Sequence, residues 1–428
     1  LDRLLAGPKR PHVFVSPLDL PTLVARMRSA PKAAETQSTG FARPQLETSY
    51  VAPRDEIERT LAGFWQELLG VTEVGIADDF FELGGHSLIA VRLFAKIKKT
   101  WDLEYPISVL FEAPSIEKCA QLVREDLGIE LGSEKPETRK KERRFRLLVP
   151  LQIGAAERPP FFLVAGMFGN VLNLRHVAQH LGADQTVYAI QAKGLLGDDE
   201  PHRRFPDMAR DYLEEVRAVQ PEGPYYLGGF SGGGLTAFEM AMQLLAQEQE
   251  VGILVLLDSL PAESIQLDAL AKLRIHAQHM AREGLGYPLA WLRKRVRWEL
   301  DKRAARREAP VRDLSPAEFR SAEIEKAFLE ALAHYRTPVY PGRVQLFRPT
   351  HDDWFSLGGD LVMNPHNRGQ IANHENRFGP HVLGGIEVHE VSGDHDAMVL
   401  EPHVRSLAAK LRACLDEALL SKSGPCPS

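Results

Sequence analysis

From Leu147 onward the chain alternates between short β-rich runs and amphipathic helical stretches, and this alternation constrains the fold more than any other feature. The β-rich runs are FFLVAG, TVYAIQ, YYLGGF, VGILVLLD, RVQLFRP and IEVHEV, and helical patterns separate most of them. Strands joined by helices form mostly parallel sheets, because each crossover helix covers a face of the sheet. For residues 147–420 we therefore predict an α/β domain with a mostly parallel sheet and helices on both faces.

Residues 261–335 interrupt this alternation, because they offer only helical patterns. A segment inserted after a strand lies above the sheet edge where loops build active sites, so we predict a helical lid at about 261–335. Its part from Leu270 to Arg307 is basic and amphipathic, which is also typical of contacts with membranes or nucleic acids. A lid helix with a solvated outer face accounts better for the apolar positions of this stretch.

The run YYLGG is followed by Phe230-Ser231-Gly232-Gly233-Gly234 and then by the helical stretch LTAFEMAMQLLAQ. A strand, a Gly-x-Ser-x-Gly turn and a helix predict a nucleophile elbow, in which small neighbours prevent collisions and the serine hydroxyl is exposed. Glycine-rich turns after strands are common, so the prediction depends on the strand and the helix as well as on the motif. Ser231 is the candidate nucleophile.

A serine hydroxyl becomes a good nucleophile only beside a base that an acid holds in one tautomer. Asp258 ends the run VGILVLLD, and His395 lies in a loop between the last β-rich run and the last helix. The chain order of serine, acid and histidine is the one that α/β-hydrolase folds use. Two alternatives stay open for the base, His389 within the strand and His403 at the start of the helix, and Asp258 could simply cap its loop.

The attack of a serine on a carbonyl group creates an oxyanion that needs two oriented N–H donors. We expect one donor to be the amide of Gly232, directly after the nucleophile. The other should come from the turn Gly166-Met167-Phe168-Gly169 after the run FFLVAG, and the amide of Met167 is the candidate.

Helical periodicity marks a second, smaller unit at residues 53–128. The first helix carries an apolar stripe from Ile57 to Leu68 and stops at Gly70, the second runs from about Ser87 to Thr100, and the third begins after Ser115 as N-cap. The sequence therefore predicts a small all-α bundle ahead of the α/β domain.

Ser87 follows a Gly-Gly turn in DDFFELGGHSL and opens the second helix of this bundle. A helix N-terminus offers free N–H groups and a positive dipole end, which favour an attached phosphate. From the spacing alone, a plain N-cap serine is the simpler interpretation. His86 is expected to shape the turn and to have no catalytic role.

Two stretches separate these units. Residues 31–52 are rich in Ala, Ser, Thr, Gln and Pro, and residues 129–146 are dense in alternating charge, as is typical of linkers. Residues 1–30 are too short to bury a core and are expected to be the tail of a preceding domain. The beginning at Leu1 instead of Met suggests a piece of something larger.

Charge and cysteine content exclude several classes of protein. The net charge is −6 and the three cysteines, Cys119, Cys414 and Cys426, are widely spaced, so neither nucleic-acid binding nor a disulfide framework is expected. No apolar run approaches a membrane span and no signal peptide is visible, so we expect a cytoplasmic protein without membrane contact. The histidines and aspartates of residues 351–381 lack the spacing of a metal site, and we interpret that stretch as a loop in the pocket wall.

Two family resemblances connect these observations. The motifs GFSGGGLTAFEMA, LVLLDS and GDHDAMV resemble type I thioesterase domains of non-ribosomal peptide synthetases and polyketide synthases, and residues 53–128 resemble acyl and peptidyl carrier domains. The second resemblance implies that Ser87 carries 4′-phosphopantetheine, attached by a phosphopantetheinyl transferase. Where many relatives have His-Pro before the oxyanion turn, this chain has Ala165-Gly166, which leaves the second oxyanion donor open.

The resemblances imply a didomain that works behind upstream synthase domains. Its acyl thioester substrate would pass from the carrier to Ser231 and leave by hydrolysis or macrocyclisation. Two alternatives remain, an acyltransferase that passes the chain to an external alcohol or amine, and a catalytically inactive docking module. The opening PHVFVSPLDLPTLVARM weakly resembles the tail of a polyketide ketoreductase.

Overall fold

The computed structural model describes residues 41–129, 147–288, 291–293 and 316–420, apart from 45, 47, 86, 104, 106, 196–198, 266 and 366–369. Several predictions lie outside the described residues: the expected tail at 1–30, residues 31–40 of the linker at 31–52, most of the linker at 129–146, His86 and much of the basic stretch in the lid. Within the described ranges the chain forms a helical bundle and an α/β domain.

The bundle has the three helices that the sequence predicts and one more short helix. They are α1 (Glu56–Leu69), α2 (Ser87–Trp101), α3 (Val109–Glu112) and α4 (Ile116–Leu127). Gly70 ends α1 in the left-handed conformation with φ 69°, and the Ser115 side chain caps α4 by accepting from the Lys118 amide. Both boundary predictions are confirmed. Trp65 and Phe80 pack edge to face in the centre of the bundle, with ring centroids 5.2 Å apart.

The α/β domain has a seven-stranded sheet with the order β1-β3-β2-β4-β5-β6-β10. Its strands are β1 (Leu148–Gln152), β2 (Phe161–Val164), β3 (Val187–Ile190), β4 (Tyr225–Phe230), β5 (Val251–Leu257), β6 (Val344–Pro349) and β10 (Ile386–Val391). All neighbours pair in parallel except β1 and β3, which are antiparallel. The predicted mostly parallel sheet is confirmed, with β1 as an additional edge strand.

Helices cover both faces of this sheet. The helices are α5 (Arg175–His180), α6 (Phe205–Val219), α7 (Gly233–Leu245) and α10 (Val404–Leu420). Apolar residues of α6 and α7 form one core with the sheet, and those of α5 and α10 form the other. This division places the β4–α7 turn at the edge where the carboxyl ends of the parallel strands meet.

Between β5 and β6 lie α8 (Ala269–Glu283) and α9 (Pro316–His334), in the segment where the sequence predicts helices alone. The stretch after β6, expected to be a plain loop, instead contains a small antiparallel sheet of β7 (Phe355–Gly358), β8 (Leu361–Met363) and β9 (Ile371–Ala372). This small sheet packs against α8 through an apolar cluster that includes Ile275 and Phe355.

Phe81 and Phe111 of the bundle take part in its contact with the α/β domain. Phe111 of α3 packs against the core formed by α5, α10 and the sheet. Phe81 stacks on Phe111 with ring centroids 5.5 Å apart, and the guanidinium carbon of Arg175 lies 4.4 Å from the centroid of the Phe81 ring. Arg175 is the first residue of α5, so this contact lies at the beginning of that helix.

Candidate active site

Ser231 occupies the turn between β4 and α7 with φ 55°, a left-handed conformation that is strained for a residue with a side chain. Its amide donates to the carbonyl oxygen of Leu257 at 2.8 Å, and its own carbonyl oxygen accepts from the Gly234 amide at 3.1 Å. These bonds hold the turn to the end of β5 on one side and to the start of α7 on the other.

Glycines make this turn sterically possible. A Cβ atom at Gly229 would lie 2.2 Å from the carbonyl oxygen of Gly233, and one at Gly233 would lie 2.2 Å from the carbonyl oxygen of Ala165. At Gly234 it would lie 1.9 Å from Oγ of Ser259. Strand, turn and helix approach more closely than any side chain permits, as the sequence prediction of an elbow requires.

The structure brings Ser231, Asp258 and His395 together, although they are far apart in the sequence. Nε2 of His395 lies 2.9 Å from Oγ of Ser231, and Nδ1 of the same ring lies 2.7 Å from Oδ2 of Asp258. Asp258 is 3% exposed, so its carboxylate faces the imidazole away from bulk water. The arrangement allows a proton to move from the hydroxyl to the ring while the carboxylate fixes the tautomer.

The environment of His395 favours its charged form. Burial lowers the pKa of the ring, but the hydrogen bond and the charge of Asp258 outweigh burial, and the pKa is raised above its usual value. The ring also stacks on Phe230, with centroids 5.1 Å apart and an angle of 22° between the planes. Phe230 therefore supports the ring plane from β4 while Asp258 holds its edge.

The other candidates for the base lie elsewhere. Nε2 of His389 on β10 donates a hydrogen bond to Oε1 of Gln345 at 2.6 Å, and the His389 ring stacks on Phe347. Nδ1 of His403 lies 3.0 Å from Oγ of Ser392, just before α10. Among the three candidate bases, all of which lie in the described part of the chain, His395 is the one whose ring contacts Oγ of Ser231.

Asp258 has two further side-chain partners that the sequence did not indicate. Nε2 of Gln370 donates to Oδ2 at 3.1 Å, and Nδ2 of Asn376 donates to Oδ1 at 3.0 Å. Both residues belong to the stretch that we expected to be a loop in the pocket wall. Their role could not be predicted, because neither residue lies in a motif and the contacts span more than a hundred positions.

The turn after β2 lies next to the nucleophile. A Cβ atom at Gly166 would lie 3.6 Å from Cβ of Ser231, and Met167 follows in the same turn. A cavity opens beside it, lined by residues of β2, the turn, the loop after β3, α6, α7 and α9, among them Met167, Lys193, His202 and Phe328. The oxyanion roles of Gly232 and Met167 stay predictions, and the position of the turn beside Ser231 is compatible with them.

The surroundings of Ser87 fit the expected attachment site. Gly84 has φ 92°, and a Cβ atom at Gly85 would lie 2.4 Å from the carbonyl oxygen of Phe80, so the turn before α2 requires glycine twice. Ser87 is the first residue of the 15-residue helix α2. Free N–H groups at a helix start suit an attached phosphate.

Within the described residues, no group of three or more histidine, cysteine or acidic side chains is placed to hold a metal ion. Among the described helices, none is both long and apolar enough to cross a bilayer.

A mostly parallel sheet with a serine at a strained strand–helix turn defines residues 147–420 as an α/β-hydrolase-like domain. The comparisons with known proteins agree. Residues 159–296 match the family model described as "Thioesterase domain", and residues 59–123 match the model "Phosphopantetheine attachment site". The chain therefore contains a phosphopantetheine carrier domain followed by a thioesterase domain, the arrangement that the sequence motifs predict.

Similar proteins are long synthetases. Chondramide synthase cmdD of Chondromyces crocatus is 30% identical over 95% of this chain and 10% of the relative. A dimodular nonribosomal peptide synthase of Bacillus subtilis (strain 168) is 37% identical over 49% of this chain and 8% of the relative. The chain thus spans a tenth or less of these curated relatives. A solved four-domain nonribosomal peptide synthetase has a TM-score of 0.47 and 25% identity, covering 94% of this chain and 28% of that one.

Proposed function

We propose that this chain releases an acyl chain from its own carrier domain by transfer to Ser231 and then to a second nucleophile. The contacts of His395 with Ser231 and Asp258, at 2.9 Å and 2.7 Å, carry the proposal. The matched thioesterase and phosphopantetheine-attachment families support the substrate class, an acyl thioester. If water is the second nucleophile, the product is a free acid. If a hydroxyl or amine of the acyl chain itself is the second nucleophile, the product is a ring.

In the first half-reaction Oγ of Ser231 attacks the thioester carbonyl carbon, and its proton moves to Nε2 of His395. The carbonyl oxygen becomes an oxyanion, which the amides of Gly232 and Met167 stabilise. When the C–S bond breaks, the imidazolium returns the proton to the leaving sulfur. An ester on Ser231 and a free thiol result, so atoms and charges balance.

In the second half-reaction His395 takes a proton from the second nucleophile, whose oxygen or nitrogen attacks the ester carbonyl carbon. The proton then goes to Oγ of Ser231 as the ester bond breaks, and the free serine is regenerated. Asp258 keeps the proton on Nδ1 throughout and stabilises the imidazolium, because its carboxylate is buried and faces the ring.

Ser87 is the proposed attachment residue for phosphopantetheine, which when bound supplies the thiol that carries the acyl group. The turn at Gly84 and Gly85 has no side chains that would block a phosphodiester from the start of α2. The free backbone N–H groups there favour the negative charge of the phosphodiester. Upstream synthase domains would load the chain, and a phosphopantetheinyl transferase would modify Ser87. The cavity beside Met167 offers a place for the acyl group.

The proposal is tested with a soluble acyl thioester and detection of the released thiol. We expect turnover by the unmodified chain and a loss of at least about a thousandfold in Ser231→Ala, because the covalent route is closed. The matched control is Ser356→Ala, since Ser356 is exposed on the small sheet and bonds through its backbone. Unchanged turnover in Ser231→Ala would refute the proposed role of Ser231.

A further inference from the structure

The carboxylate of Asp258 is held on three sides by side chains. Oδ2 accepts from Nδ1 of His395 at 2.7 Å and from Nε2 of Gln370 at 3.1 Å, and Oδ1 accepts from Nδ2 of Asn376 at 3.0 Å. Gln370 is 7% exposed and Asn376 is 0% exposed, so both amides are buried with the carboxylate. Each oxygen therefore has an amide donor, and the carboxylate plane is fixed independently of the histidine.

The direction of the Gln370 amide is determined by its second contact. Its Oε1 accepts from Nδ2 of Asn364 at 2.9 Å, so its NH₂ group must face Asp258. The backbones of the same two residues are also joined, because the amide of Asn364 donates to the carbonyl oxygen of Gln370 at 3.0 Å. The small sheet thus orients this donor through a bond that does not involve the active site.

Asn376 is oriented in an independent way. Its Nδ2 donates to Asp258 and also to the carbonyl oxygen of Ser259 at 3.1 Å, and two acceptors on one side require the NH₂ group there. Its backbone has φ 45°, a conformation that asparagine tolerates better than most residues. The backbone strain is compatible with a residue kept in place by the bonds of its side chain.

The unit that supplies Gln370 is attached to the inserted helix α8. Gln278 and Ser356 form a reciprocal pair, in which Nε2 donates to the carbonyl oxygen at 2.7 Å and the Ser356 amide donates to Oε1 at 2.9 Å. Arg274 donates to the carbonyl oxygen of Leu357 at 2.7 Å. The small sheet is therefore fixed to α8, and Gln370, the residue directly before β9, contacts Asp258.

We propose that Gln370 and Asn376 are positioning residues, which hold the Asp258 carboxylate in the orientation that His395 requires. The inference rests on the proposed function of Ser231, His395 and Asp258 and assigns a role to the segment after β6. Neither amide reaches Ser231 or lines the cavity beside Met167, so both act on the reaction through Asp258. A buried carboxylate without these donors could rotate away from Nδ1.

The test is a double-mutant cycle with the full chain. Gln370→Ala should lower kcat for a soluble acyl thioester about tenfold to a hundredfold, the usual effect of losing a hydrogen bond to a charged group. KM should change by less than about twofold, because the substrate cavity is untouched. In the Asp258→Ala background the same substitution should have no further effect, since the carboxylate that it orients is gone.

Asn376→Gly is the second variant of the cycle. Glycine accepts φ 45° without strain, so this substitution removes the amide and leaves the backbone conformation accessible. As for Gln370→Ala, we expect kcat to fall about tenfold to a hundredfold with little change in KM, and no further loss in the Asp258→Ala background. If one of the two variants does not fold, the other decides between the outcomes.

The matched control is Gln345→Ala. Gln345 is also a buried glutamine whose Nε2 donates to a carboxylate, Oε2 of Glu387 at 3.0 Å, but its side chain bonds to none of Ser231, Asp258 and His395. It should lower the melting temperature and leave kcat close to that of the unmodified chain. An equal loss of kcat in the control, an unchanged kcat in both variants, or additive losses in the Asp258→Ala background would each overturn the proposal.

A second readout separates this inference from the proposed thioesterase activity. The rate at which a fluorophosphonate labels Ser231 depends on activation of the hydroxyl and needs no acyl thioester. We expect Gln370→Ala and Asn376→Gly to slow labelling in the unmodified background and not in the Asp258→Ala background. This result is expected even if the soluble thioester proves a poor substrate. Fast labelling of the unmodified chain without thioester turnover would contradict the proposed substrate class alone, whereas equal labelling of the unmodified chain and both variants would contradict the positioning role alone.

Discussion

At the residue scale, the site depends on how His395 is held between a hydroxyl and a buried carboxylate. The sequence could indicate all three residues, because the elbow motif, the end of a β-rich run and a loop before the last helix are local patterns. It could not indicate Gln370 and Asn376, whose contacts with Asp258 depend on how the segment after β6 folds back. Motifs therefore identify groups that react, and tertiary packing identifies groups that hold them.

The raised pKa of His395 predicts the pH dependence of the reaction. The ring must be neutral to accept the serine proton, so kcat/KM should fall as the pH decreases through a value above the usual pKa of about 6.5. Asp258→Asn removes the charge and the hydrogen bond that raise this pKa. The acid limb should then move to lower pH while the maximal rate falls by about four orders of magnitude.

The control for this profile is Asp396→Asn. Asp396 flanks the histidine, is exposed, and contributes only through its charge, so its loss should shift the acid limb slightly in the same direction. Its maximal rate should stay near that of the unmodified chain. An acid limb that moves to higher pH in Asp258→Asn would contradict the account of His395.

At the element scale, the strand–turn–helix unit of β4 and α7 could be predicted, because its close packing requires glycines and these glycines form a recognisable sequence motif. The small sheet of β7, β8 and β9 could not, because its strands are only four, three and two residues long. Such strands carry too few alternating positions for a pattern, and their pairing and the contact with α8 stabilise them instead. The prediction of a loop at residues 351–381 was therefore wrong for the part that forms this sheet.

Gly229→Ala tests the steric account of the elbow. The added methyl group would meet the carbonyl oxygen of Gly233 at 2.2 Å, and backbone atoms cannot rotate away as a side chain would. We expect the free energy of unfolding of the thioesterase domain to fall by at least about 2 kcal/mol, together with slower labelling of Ser231. Chemical denaturation monitored by tryptophan fluorescence measures the loss.

Gly286→Ala is the matched control, because a Cβ atom there meets no atom within 4 Å. Its free energy of unfolding should stay within about 0.5 kcal/mol of the unmodified chain. If Gly229→Ala were as stable as this control and labelled as fast, close backbone approach would not be what the elbow requires.

At the scale of the whole molecule, the order of two units could be predicted from the linker composition and the motifs. Their contact could not, since Phe81, Phe111 and Arg175 show no pattern that distinguishes them from other apolar and basic residues. In the structure Arg175 lies over the Phe81 ring and begins α5, while Phe81 is six residues before the start of α2. The contact therefore connects the segment just before α2, the helix that begins at Ser87, to α5, the helix that follows the turn at residues 166–169.

The transfer between the two units is the central claim, and the position of the acyl group during the reaction tests it most directly. The chain is loaded with acyl-phosphopantetheine, quenched at short times, digested and mapped by mass spectrometry. The account predicts an acyl group first on the Ser87 peptide and then on the Ser231 peptide, with accumulation on Ser87 and no transfer in Ser231→Ala. Release of the acyl product from Ser231→Ala at the unmodified rate, or transfer of the acyl group from the Ser87 peptide to a residue other than Ser231, would contradict it.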